Sequence, residues 1–97
     1  MRANDKIEAE SLLRKRMDEM RQRTYEDLLK LLDKADVIEV GGETDKKYQI
    51  EINAAWEDAT KTRLHVSGSI DDGGLRAWIN WSPLVQSFIA FPDGRTE

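Results

Sequence analysis

Between Tyr48 and Trp56 the chain reads YQIEINAAW, and its side chains alternate in character. Tyr48, Ile50, Ile52, Ala54 and Trp56 fall on one side, and Gln49, Glu51 and Asn53 on the other. A period of two is the mark of a strand with one dry face and one wet face. The preceding segment obeys a different rule. From Asn4 to Ala35 there is no Gly and no Pro, and Ile7, Leu13, Met17, Met20, Leu28, Leu31, Leu32 and Ala35 recur near the helical period. The change of period after Asp36 divides the chain into a helical part and a sheet part.

A single helix over residues 4–35 would be about 45 Å long, more than a small sheet can cover. A break is expected at Gln22-Arg23-Thr24, where Thr24 can cap a new helix with Asp27 three residues on. The reading is a first helix over residues 4–21 and a second over 24–35. Residues 1–23 are drawn as an amphipathic helix free to project, and 24–97 as the compact α+β domain. The second helix, through Leu28, Leu31, Leu32 and Ala35, is the expected cover of the sheet.

The sheet part holds VIEV (37–40), YQIEINAAW (48–56), TRLHVSGSI (62–70), LRAWINW (75–81) and VQSFIAF (85–91). The gaps are short, which favours an antiparallel meander of four to five strands. The fold class is therefore α+β: an N-terminal helix or helical pair followed by a meander, in two layers. Ile50, Ile52 and Ala54 share even parity with Leu64, Val66 and Ile70, so the loop between them must be odd in length. Five residues is the expected length, because no Gly is present for the left-handed position of a three-residue loop.

Asp71-Asp72-Gly73-Gly74 reads as a hairpin bend rather than a metal or phosphate loop. Asp-Gly suits the positive φ angles of a tight turn, and carboxylates do not recur at calcium-loop spacing. With the turn at Asp72-Gly73, Ile70 pairs with Leu75, Gly68 with Ala77, Val66 with Ile79 and Leu64 with Trp81. The opposite face then joins His65, Ser67, Arg76, Trp78 and Asn80. A tryptophan on a wet face, beside an arginine, is the pattern of a binding surface. His65, Arg76, Trp78 and Asn80 are the candidate binding residues, and Trp78→Ala is expected to spare the fold and abolish binding.

Catalytic signals are sparse. His65 is the only histidine, and no nucleophile or orienting carboxylate is set beside it by sequence. With one histidine and no cysteine, no zinc site, thiolate chemistry or disulfide is expected, and no catalytic, metal-binding or cofactor residues are assigned. The net charge is −4, with residues 1–36 balanced at nine cations and nine anions. The basic run Arg14-Lys15-Arg16 with Arg21 and Arg23 is interleaved with Glu8, Glu10, Asp18 and Glu19, which makes a solvated, ion-paired face the better reading than a nucleic-acid surface. No secretory signal or membrane span is apparent, so a cytoplasmic protein is expected.

These observations favour a small non-enzymatic interaction or regulatory module acting on another protein or on a second copy of itself. A small-ligand site or enzyme around His65 and Trp78 is the alternative. Nucleic-acid binding by the first helix is the third reading. Pro92-Asp93-Gly94 is a further turn signal, followed only by Arg95-Thr96-Glu97.

Overall fold

The structure is a computed structural model that describes residues 3–42, 46–71 and 84–97, with side chains from residue 6. Helix α1 (Ala3–Arg21) is followed by a short helix α2 (Tyr25–Leu29), which tightens into a 3₁₀ turn (Lys30–Leu32). Four strands follow: β1 (Asp36–Gly41), β2 (Lys47–Trp56), β3 (Leu64–Asp71) and β4 (Leu84–Ala90). They form one antiparallel sheet in the order β1-β2-β3-β4, with the helices on one face. This is the expected two-layer α+β arrangement.

The helix break falls where the capping chemistry puts it. Thr24 has extended backbone angles, and its hydroxyl accepts the Asp27 N–H at 3.1 Å, satisfying one of the otherwise orphaned donors of α2. The second helix is shorter than expected, ending at Leu32 in 3₁₀ form rather than at Ala35.

The cover of the sheet differs from the sequence reading. Leu28 and Leu31 of the second helical segment are buried, as expected, but so are Ala9, Leu13, Met17 and Met20 of α1. These four lie at helical spacing on one side of α1, which lies along β3 and β4. The helix therefore does not project. Ile7 is off this stripe and 65% exposed. Close approach of α1 is made possible by Gly68: a Cβ there would lie 2.6 Å from Met17 Sδ and 3.3 Å from Leu13 Cδ1. An ion pair from Arg16 to Asp36 ties α1 to the start of β1, and the Tyr48 hydroxyl donates to Glu8 Oε1 at 2.9 Å.

Strand parity is as read. Tyr48, Ile50, Ile52, Leu64, Val66 and Ile70 are buried beneath the helices, and Ala54 and Trp56 are partly buried beside them. The pairing of β3 is not. Its partners are β2 on one edge and β4 on the other, with Ile70 opposite Leu84, Gly68 opposite Gln86, Val66 opposite Phe88 and Leu64 opposite Ala90. The pairing of β3 with residues 75–81 through a turn at Asp72-Gly73 is thus replaced by pairing with the last strand. The physical reason is that Leu84, Phe88 and Ala90 satisfy the same inward parity, so alternation alone cannot choose between the two segments. The turn and residues 75–81 themselves lie outside the described residues. On the outer side of β4, Val85 is 65% exposed.

The β2–β3 loop has the expected odd length. Glu57 N–H donates to the Arg63 carbonyl, leaving the five residues 58–62 as the loop. Lys61, not a glycine, takes the left-handed position, at φ 57°. After β4 the chain turns at Pro92-Asp93-Gly94, with Gly94 at φ 93° and the Gly94 N–H donating to the Phe91 carbonyl. Ile89 and Glu97 then exchange two backbone hydrogen bonds, so residues 95–97 fold back onto the outer edge of β4.

Candidate functional site

Because each strand sends alternate side chains to opposite faces, burying the even-numbered set leaves the odd-numbered set on the face away from the helices. The register gathers this face into rows. One runs Val37–Glu51–Ser69–Val85, the next Asn53–Ser67–Ser87, and a third Ala55–His65–Ile89; at the other end lie Glu39, Gln49 and Asp71. Strands are spaced about 4.8 Å apart, so the face is about 14 Å wide. Val37 and Val85, at its two margins, are 49% and 65% exposed. The middle is polar, with the Ser67 hydroxyl donating to Asn53 Oδ1 at 2.9 Å.

Of the four candidate binding residues, His65 is described. It lies in the row at one end of this face, between Ala55 and Ile89, half-buried, with Nδ1 3.7 Å from Glu57 Oε2. Arg76, Trp78 and Asn80 lie outside the described residues. The geometry around His65 does not assemble a nucleophile. Ser67 is two residues along the same strand, roughly 7 Å away by strand rise, and its single hydroxyl proton is committed to Asn53. A Ser–His mechanism needs that proton directed at the imidazole.

The described clefts lie elsewhere. One of about 500 Å³ sits between the end of α1, the second helical segment and the start of β1, taking in Met20, Leu28, Leu31, Lys30, Lys34 and Asp36. Another lies on the outer surface of α1 around Arg14, Lys15 and Asp18. Among the described residues, two of the five cations of α1 are in ion pairs: Arg16 pairs with Asp36 and Glu19, and Arg21 with Asp18. Arg21 also lies over the Phe88 ring, 5.1 Å from its centroid. Among the described residues no group of three or more His, Cys, Asp or Glu is placed to hold a metal ion, and no helix is long and apolar enough to cross a membrane.

Sequence reasoning passed over Val37, Val85 and Ser87. The signal was present in the alternation of DVIEVG and LVQSFIA, but placing these residues on one face required knowing that β4 pairs with β3. No family model, no curated protein and no solved structure matches the chain.

Proposed function

We propose that the protein is a non-enzymatic interaction module that binds a partner protein across the face of the sheet opposite the helices. The observation that carries this reading is that no described helix or strand packs on this face. The described helices lie on the other side, while exposed Asn53 and Ser87 and half-buried Ser67 and Ser69 form a polar field between two exposed valines. A reversible protein interface is, as a whole, about as polar as the rest of a protein surface, so a polar field with a few apolar contacts is compatible with one. His65 belongs to this surface as a contact in its end row. Arg76, Trp78 and Asn80, in the segment joining β3 to β4, belong to the same reading, since Trp and Arg supply interface anchors.

A small-ligand site or enzyme at His65 is less well supported. Such sites are concave and enclose a few hundred Å³, whereas the described clefts take in the helices and the start of β1. Nucleic-acid binding by α1 is weakened by the internal pairing of Arg16 and Arg21.

The test is affinity capture from source-cell lysate with three baits: the parent protein, Asn53→Arg/Ser87→Arg, and Arg14→Glu/Lys15→Glu. A partner held by the parent and by the α1 variant, but lost by the sheet-face variant with unchanged circular dichroism, is the expected result. Retention by the sheet-face variant would overturn the assignment. Trp78→Ala in the same experiment asks whether that residue is an anchor.

A further inference from the structure

A second surface, separate from the sheet face, lies along the outer edge of β1. We propose that this edge accepts an extended, acidic-ended peptide segment of a partner as a fifth, antiparallel strand. β1 is the first strand in the sheet order and has β2 on one side only. The direction of its backbone groups follows from the ladder. Gly42 N–H donates to the Lys46 carbonyl, one position beyond the pairing of Gly41 with Lys47. Hydrogen-bonded and non-bonded positions alternate in an antiparallel pair. Asp36, Ile38 and Val40 therefore turn their N–H and C=O groups toward β2, and Val37, Glu39 and Gly41 turn theirs outward. Among the described residues no strand meets those three.

Natural edges are usually blunted by proline, lysine, a bulge or a covering segment. β1 reads DVIEVG: it has no proline or lysine, and its register with β2 is unbroken over six pairs. Glu39 is its one charge that faces away from the core, and Val37 beside it is 49% exposed. The other edge of the sheet, by contrast, is partly closed by Glu97 against Ile89.

Charge identifies the occupant. The cleft of about 500 Å³ that adjoins Asp36 and Val37 has Met20, Leu28 and Leu31 in its walls and Arg23, Lys30 and Lys34 around it. Of its two acids, Asp27 is 3.5 Å from Lys30, and Asp36 is turned to Arg16. The start of β1 is thus left with a cationic surplus. An antiparallel guest strand places its C-terminal end there. The fitting ligand has apolar or β-branched residues along the strand, followed by carboxylates. A second copy of this chain fits less well: the antiparallel register that pairs the outward-turned Val37 with Gly41 sets Glu39 against Glu39, and like charges directly opposite are unfavourable.

The probe is a fluorescein-labelled peptide of alternating valine and threonine with three C-terminal glutamates, read by anisotropy. Binding is expected to weaken about tenfold in Glu39→Pro, which removes an outward N–H while leaving the β2 ladder intact. A similar loss is expected in Lys30→Glu/Lys34→Glu, whose side chains lie at the surface, and for the same peptide with its glutamates moved to the N-terminus. In amide exchange by NMR, saturating peptide should slow Val37, Glu39 and Gly41 selectively over Ile38 and Val40. Absence of binding to the parent protein, equal binding by all variants, or protection without this odd-numbered pattern would each overturn the proposal. So would a parent dimer, in sedimentation, that Glu39→Pro dissolves, because the edge would then belong to self-pairing. Asn53→Arg/Ser87→Arg should bind the peptide normally, which separates this edge from the sheet-face surface.

Discussion

Leu13→Ala decides whether α1 is part of the core or an appendage. Leu13 is 0% exposed and sits above Gly68, with its Cδ1 3.3 Å from where a Cβ would stand. The substitution removes three carbons, a transfer loss of about 2.4 kcal/mol at about 0.8 per carbon. Gly68 has no side chain to fill the hole from below, so the cavity adds to this and the total is about 3 kcal/mol. A chain of this size is stable by about 5–15 kcal/mol, so the loss is a large fraction of the whole. With a urea dependence of roughly 1.5 kcal/mol per M, the unfolding midpoint should fall by about 2 M at unchanged slope. Ile7→Ala, on the same helix but at a residue 65% exposed, should change stability by less than about 0.5 kcal/mol. If Leu13→Ala proved no worse than Ile7→Ala, α1 would not cover the sheet and the packing described for it would be wrong.

Two further outcomes concern the β2–β3 loop. Lys61 occupies the left-handed region at φ 57°, which costs a non-glycine residue about 1 kcal/mol; Lys61→Asn should therefore raise the urea midpoint, and a lower midpoint would contradict the strain. Asp58 accepts from the Thr60 hydroxyl at 2.7 Å and from Arg63 at 2.8 Å, and these bonds hold its carboxyl below the usual aspartate range. A carboxyl whose folded pKa is depressed stabilises the fold above its unfolded value, near about pH 4, and that contribution disappears as pH falls through the folded value. Urea midpoints measured at neutral pH and at about pH 2.5 should differ less in Asp58→Asn than in the parent; an identical acid loss in both would show that Asp58 does not contribute.

Local rules were the legible ones. Thr24 announced its helix by side-chain chemistry that acts within three residues, and the Thr24–Asp27 bond is made. The even parity shared by Ile50, Ile52, Leu64 and Val66 required an odd loop, and five residues lie between Glu57 and Arg63. The cover by α1 was hard to see because its stripe is narrow and three of its four residues are Ala9 and methionines, set among charges. What marks it as core is the clearance above Gly68, a residue about fifty positions away in the chain. Of the candidate binding residues, His65 was placed on the outer face by parity alone, and the structure has it there beside Ala55 and Ile89.

Alternation along a strand determines which face a side chain takes, because the backbone reverses it at every residue whatever lies alongside. It carries no information about neighbours. LRAWINW and LVQSFIA both present an apolar set of the correct phase to β3, and only assembly of the sheet under α1 selects Leu84–Ala90 as its partner. That choice brings Val85 and Ser87 beside Ser67 and Ser69. The inward and outward sides of this protein were thus decided residue by residue, while the composition of its exposed surface was decided by which strands came to lie next to one another.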